Sequence, residues 1–221
     1  MALSYRTASA RPTVLQRAPR RRSRSRGVVR RRRAVALLVF GALVSVAVVL
    51  AVRVGPSAVR HLTLPLDHED IIRQQAADKQ LDPALIAAVI YQESKFRDRT
   101  SSAGAKGLMQ LMPTTASFIA HKSGGTSFQL HDLATPQVNI AYGSWYLRYL
   151  IARYHGNTTL GVAAYNAGAD NVDRWVKRVG GAGNFDAGRN IPFPETRHYV
   201  LSVVAHRDQY RKTYAKELGL Q

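Results

Sequence analysis

Residues Ala34–Val52 run nineteen positions without a charged side chain, AVALLVFGALVSVAVVLAV, and Ser45 is the only polar one. As a helix this run would span about 28 Å, close to the roughly 30 Å hydrocarbon core of a bilayer. Buried helices of soluble domains seldom reach that length without a polar face. The apolar stretch of a cleavable signal is shorter, about 7–15 residues, and remains the alternative reading. The run is therefore expected to cross a membrane as a signal anchor, and it divides the chain. Arg30–Arg33 flank it on the N-terminal side. The positive-inside rule then puts the tail in the cytoplasm and everything after Arg53 outside, a single-pass cell-membrane protein. The expected organisation is an arginine-rich disordered tail over 1–33, a transmembrane helix over 34–52, a linker with Gly55, Pro56 and Pro65 over 53–66, and one globular domain over 67–221.

The net charge of +18 invites a nucleic-acid reading, but its distribution argues against one. Residues 1–33 hold twelve arginines and no acid, so removing them leaves +6 for the rest of the chain. Topology and lipid headgroups account for the tail, and no nucleic-acid partner is expected. A mildly basic remainder suits an anionic polymer. The chain has no cysteine, which excludes disulfides, cysteine nucleophiles and Cys-ligated metal sites.

The last region reads as all helix. Asp82-Pro83 is a cap followed by proline at the first helical position, and the helix continues over Ala84–Ser94. Thr135-Pro136 repeats that start before a helix reaching about Tyr154. A short helix around Leu160–Ala167 ends at Gly168. Pro194 opens a last helix carrying Tyr199, Val200, Val203, Val204 and Tyr210 at helical spacing. Ser123–Thr126 and Gly180–Gly188 read as glycine-containing loops, and there is no internal repeat.

One acid stands out. On the helix from Asp82, the residues Leu85, Ile86, Val89 and Ile90 centre near 70°, and Glu93 falls at about 80°, inside the apolar stripe. A surface glutamate would avoid that face. Glu93 also sits at the C-terminal end, where the helix dipole disfavours a negative charge. Both effects raise a carboxyl pKa and make a general acid competent near neutral pH. If the helix frayed before Glu93, the carboxylate would simply be solvated.

Four segments give this region a family likeness. They are Glu93-Ser94 with Phe96; Gly104-Ala105-Lys106-Gly107-Leu108-Met109-Gln110-Leu111-Met112-Pro113; Ala164-Tyr165-Asn166-Ala167-Gly168; and Pro194-Glu195-Thr196-Arg197 with Tyr199-Val200. In order and spacing they resemble the catalytic domain of soluble-type lytic transglycosylases, relatives of goose-type lysozyme, over about 70–221. The stretch between Glu93 and Ser101 is one residue shorter than the common pattern, so Ser101 or Ser102 could take the family's serine position; counting back from Gly104 selects Ser101.

The resemblance implies a lysozyme-like, mostly helical all-α fold in the α+β lysozyme superfamily. It implies Glu93 as catalytic acid and then base, with Ser101, Gln110, Met112 and Tyr165 lining a glycan cleft, Asn166 near the reaction centre and Glu195 near the edge. It also implies a peptidoglycan substrate, no cofactor and no metal; protein partners are left unnamed. Each residue read singly has a plainer role. The GAKG turn could be structural, Gln110 a surface residue, Met109 and Met112 core, and Tyr165 a packed aromatic. Asn166 could serve a helix end, and Glu195 a helix N-terminus.

Glycosidases usually employ two carboxylates. Here one glutamate sits in an apolar setting with no second acid in the nearest motifs, which fits a single-acid, non-hydrolytic cleavage. A hydrolytic lysozyme would need Asp98, Asp132 or Glu195 as partner. A wall-binding domain without activity is the reading from another class. No zinc-protease histidine pair, phosphate-binding glycine loop or G-x-S-x-G elbow is present.

Overall fold

The computed structural model describes residues 64–125 and 127–220, together with Arg31, Val39, Phe40 and 42–45. The chain divides into two units, Met1–Pro56 and Ser57–Gln221. In the first, the described residues are helical, and Val39, Phe40, Leu43 and Val44 are exposed. Most of the arginine-rich tail, of the run over 34–52 expected to form a membrane helix and of the linker lies outside the described residues. Among the described residues no helix is long and apolar enough to cross a membrane.

The second unit is mostly helical. Its described residues form α1 (Glu69–Lys79), α2 (Pro83–Ser94), α3 (Pro113–Ser123), α4 (Pro136–Arg153), α5 (Thr158–Ala167), α6 (Ala169–Arg178), α7 (Ala187–Asn190) and α8 (Pro194–Thr213), with 3₁₀ turns at Leu130–Ala134 and Ala182–Asn184. No strand occurs among them; β pairing is limited to the isolated bridges Thr100–Lys106 and Lys106–Leu111. Four of the helices begin with proline at the first position, where the missing N–H costs nothing. The Asp82 carboxylate caps α2 by accepting from the Ala84 amide at 3.0 Å.

Three helices of ten or more residues were not expected from sequence. α1 is polar, burying only Ile72, Gln75 and Ala76. α3 buries only Ala116 and Ile119. α6 follows α5 with a single residue between them: Gly168 closes α5 by donating to the Ala164 carbonyl at 2.9 Å and at once begins α6. The expected loop over 180–188 contains the second 3₁₀ turn and the start of α7.

The core is organised around α2. Every residue from Ala84 to Ile90 is buried. The alanines at 84, 87 and 88 admit close neighbours on the side away from Leu85, Ile86, Val89 and Ile90. The helix therefore has no solvent face along most of its length, packing against α1 and α8. This differs from the stripe expected from sequence: the small residues make a second buried face rather than an exposed one. Residues ahead of α1 join this core. Leu64 and Leu66 are buried, and the Pro65 and Leu64 carbonyls accept the hydroxyls of Tyr210 at 2.5 Å and Tyr214 at 2.7 Å.

Behind the core, α4 meets the loop before α3 at a glycine. A Cβ on Gly143 would stand 2.3 Å from the Met109 Sδ, and Met109 is fully buried. Gly143→Ala is expected to destabilise the domain by about 1–3 kcal/mol through overpacking. Urea unfolding of the variant beside the parent chain measures this; an unchanged midpoint would mean that Met109 can move aside freely.

Candidate active site

The first element of the site is the exit of α2 from the core. The helix continues through Ser94, whose hydroxyl donates to the Ile90 carbonyl at 3.1 Å. It ends at Lys95, in a left-handed conformation with φ 56°, followed by Phe96 with φ 60°. Two successive non-glycine residues in this region turn the chain sharply, and the buried Phe96 ring lies 6.3 Å from that of Tyr210. Glu93 is thus held in the last helical turn, not frayed into solvent.

The Glu93 side chain is half-buried, and its Oε1 accepts a hydrogen bond from the Tyr199 hydroxyl of α8 at 2.7 Å. Burial pushes the carboxyl up from 4.5 to about 7, against the opposing pulls of the Tyr199 hydrogen bond and the Arg99 charge. Burial, followed by the negative charge of Glu93, raises both the Tyr199 and the Tyr165 hydroxyls well above 10. Tyr199 therefore remains a neutral donor, and Tyr165 lies within the electrostatic reach of Glu93. The Tyr165 hydroxyl donates to the Met109 carbonyl at 2.9 Å, which ties α5 to the loop before α3.

That loop carries Ser101, Gln110 and Met112. It folds back through the bridges at Thr100, Lys106 and Leu111. Asn139, buried on α4, holds it from below: its Oδ1 accepts from the Met109 amide at 2.8 Å, and its Nδ2 donates to the Lys106 and Leu133 carbonyls at 3.0 Å each. Gly107 lies directly over Asn139, where a Cβ would stand 2.0 Å from its Nδ2, and has φ 77°. The missing Cβ makes room for the Asn139 side chain.

Gln110 occupies left-handed space at φ 46°, and its amide donates to the carbonyls of Arg99 at 2.9 Å and Gly107 at 2.7 Å. Arg99 in turn donates to the Glu93 carbonyl at 2.6 Å. The Ser101 hydroxyl accepts from the Ala105 amide at 3.0 Å inside the turn. Met112 stands just before α3 with its side chain exposed and no capping bond, whereas Met109 is core.

Asn166 is exposed at the end of α5, and its Oδ1 accepts from the buried Thr196 hydroxyl at 2.7 Å. This links Asn166 to the first turn of α8, which begins with the exposed Glu195 and carries Tyr199 to Glu93. Hydrogen bonds and electrostatic contacts thus connect Glu93 to Gln110 through Arg99, and to Tyr165 and Tyr199 directly. Ser101, Met112, Asn166 and Glu195 are held on the flanking segments without a direct bond to Glu93. Two of the acids weighed as partners have structural roles or settings: Asp132 caps the first 3₁₀ turn through the Gln129 amide at 2.8 Å, and Glu195 occupies a helix N-terminus. Among the described residues no group of three or more histidine and carboxylate side chains could hold a metal ion.

Tyr199, Arg99 and Asn139 were not singled out as site residues from sequence. Tyr199 stood in the apolar register of the last helix and in the fourth family segment, and neither reading gave a role to its hydroxyl. Arg99 and Asn139 act over distances that no local pattern encodes.

A family model described as the transglycosylase SLT domain matches residues 70–186. The chain is 34% identical over 152 residues to a soluble lytic murein transglycosylase of Escherichia coli, covering 66% of this chain and 23% of that protein. It is 33% identical over 165 residues to a membrane-bound lytic murein transglycosylase F of Alcanivorax borkumensis, covering 70% of this chain and 32% of that protein. The chain therefore spans about a quarter to a third of the length of these curated relatives. Among solved structures it is similar to an inactive glutamate-to-glutamine mutant of the lytic transglycosylase Slt from Pseudomonas aeruginosa. That match has a TM-score of 0.64 and 33% identity, over 71% of this chain and 26% of the other.

Two outcomes follow from the carboxyl's surroundings. Tyr199→Phe removes a hydrogen bond that favours the carboxylate, so the Glu93 titration midpoint is expected to rise by about 1–2 pH units, read by carbon NMR of labelled glutamate. A midpoint that stayed in place would separate the bond from the acidity. The raised folded-state value also has a stability sign. Below pH 4.5 the acid is protonated in both states; between 4.5 and about 7 only the folded chain keeps the proton, so stability falls as pH rises through that window and levels off above it. Glu93→Gln is expected to stabilise the domain by about 2–3 kcal/mol at pH 8 and hardly at all at pH 4, measured by urea unfolding at both.

Proposed function

The chain belongs to the transglycosylase SLT domain family, and on that premise we propose that it is a peptidoglycan lytic transglycosylase with Glu93 as its acid and base. The observation that carries this reading is the single half-buried glutamate at the end of α2, held by Tyr199 and titrating near 7. Such a carboxyl is protonated in a large fraction of molecules at neutral pH and can still accept a proton later in the cycle.

Glu93 donates its proton to the glycosidic oxygen between N-acetylmuramic acid and N-acetylglucosamine, and the bond from that oxygen to the muramyl anomeric carbon breaks. The muramyl 6-hydroxyl attacks the same carbon and gives its proton to the Glu93 carboxylate. The acid is regenerated, a 1,6-anhydro ring closes and no water is consumed. Tyr199 contributes by fixing the carboxyl's rotamer and by donating to the carboxylate once it forms. Burial and the two opposing pulls involve no neighbouring carboxylate among the described groups acting on Glu93, which favours the single-acid course over a two-carboxylate hydrolysis. In this reading Ser101, Gln110, Met112 and Tyr165 line the glycan cleft, with Asn166 and Glu195 at its edge.

The reading includes a membrane anchor. It is supported by the uncharged run over 34–52 and by the exposed apolar side chains Val39, Phe40, Leu43 and Val44 on its described helical residues. The relative of A. borkumensis, named as membrane-bound, is a precedent. The catalytic domain then faces the cell wall from outside the cytoplasm.

Mass spectrometry of muropeptides released from purified peptidoglycan tests the activity. The chain is expected to yield products about 18 Da lighter than reducing-end sugars, the mass of one water, and Glu93→Gln to yield none. Reducing-end products would instead make it a hydrolase, and bound but uncut glycan a wall-binding domain. The turnover rate is expected to decline as pH rises through about 7, where Glu93 loses the proton it must donate, and a flat profile to pH 9 would assign the acid elsewhere.

A further inference from the structure

Between Lys95 and Lys106 the chain carries four cations, Lys95, Arg97, Arg99 and Lys106, against one acid, Asp98. Two of the cations, Arg99 and Lys106, line a cavity of about 260 Å³ bounded on its far side by Leu130 and His131 of the first 3₁₀ turn. The Lys106 ammonium has neither a hydrogen bond nor an ion pair among the described residues. Arg99 donates one Nη2 to the Glu93 carbonyl and leaves the rest of its fork unspent. His131 stands 3.4 Å from Asp132, and Asp98 is the one acid among the residues that line the cavity. The backbone at Arg99 and Gly107, which both line the cavity, also receives the Gln110 amide, so the cavity adjoins the segment read as glycan-facing.

We infer that Arg99 and Lys106 form an anion-binding subsite beside the glycan cleft, for a carboxylate or phosphate carried on the wall polymer. The inference rests on the proposed peptidoglycan substrate. An unspent guanidinium fork and an unpaired ammonium facing one cavity are complementary to a tetrahedral or planar oxyanion, and Arg supplies the paired donors that such groups take. Wall glycans carry anions from two sources: carboxylates of the stem peptides and phosphates of attached polymers. Neither Arg99 nor Lys106 takes part in the proposed proton transfers, so the subsite would govern which strands are held rather than how they are cut.

The test uses the full chain carrying Glu93→Gln, so that strands are bound without being consumed, and compares it with the same chain also carrying Lys106→Gln or Lys106→Arg. Binding is measured to three preparations: strands with stem peptides, bare strands whose carboxyl groups have all been blocked as neutral amides, and such blocked strands with phosphate polymers attached. Lys106→Gln is expected to weaken binding about five- to tenfold on the anion-bearing preparations and not on the bare strands, with Lys106→Arg restoring it. Loss confined to stem-bearing strands assigns the carboxylate source, and loss confined to phosphate-bearing strands the phosphate source. Equal binding by all three chains to every preparation overturns the subsite. If no chain binds any strand, the glycan reading fails, and inorganic phosphate decides the subsite by itself. NMR shifts of the Arg99 and Lys106 side chains on phosphate titration would then support it, and their absence would overturn it.

Discussion

The whole arrangement depends on one helix being dry for most of its length. α2 can be buried on every side because it alternates branched residues with alanines, so α1 and α8 both approach closely. A carboxyl one turn beyond that dry segment inherits its low dielectric without being sealed from substrate. Placed on a surface helix, the same glutamate would titrate at its ordinary value. The acidity of Glu93 is thus a property of the core before it is a property of the site.

The core also determines who meets Glu93. α8 packs along α2 and delivers Tyr199 to the carboxyl, while its first turn is tied to α5 through the Thr196–Asn166 hydrogen bond. α5 in turn sends Tyr165 to the Met109 carbonyl, on the loop that Asn139 supports from α4. Each wall of the site is therefore bonded to another wall rather than standing on its own loop. The left-handed residues Lys95, Phe96 and Gln110 sit at the joints, where tertiary contacts over-determine the backbone and hold it in a sparsely populated conformation.

Sequence made the helices with cap and proline signals legible, along with Glu93, because those features are local. α2, α4, α5 and α8 each announce a start, and the glutamate's position in an apolar register is visible on a helical wheel. α1 and α3 were hidden because their own composition is polar and tertiary contacts stabilise them. α6 was hidden because Gly168 reads as an ending and is also a beginning. Gly107 belongs to a turn whose reason lies outside it: its missing Cβ makes room for Asn139, thirty-two positions away. Tyr199 read as core, which it is, except for the one oxygen that matters to Glu93. Hydrogen bonds across more than a few turns, such as Tyr199–Glu93 and Asn139–Met109, have no periodicity to betray them.

Arg99 joins these levels. Its guanidinium satisfies the Glu93 carbonyl at a helix end, where a cation is favoured by the dipole. Its carbonyl anchors Gln110, and its charge opposes the effect of burial on the carboxyl. Burial unopposed would carry Glu93 higher and make it a reluctant acid in the first half of the proposed cycle. A stronger pull would leave it ionised at neutral pH, with no proton to give, and a weak base in the second half. Serving both halves requires an acidity near the ambient pH, and the positions of Arg99 and Tyr199 are what bring a desolvated carboxyl down to it.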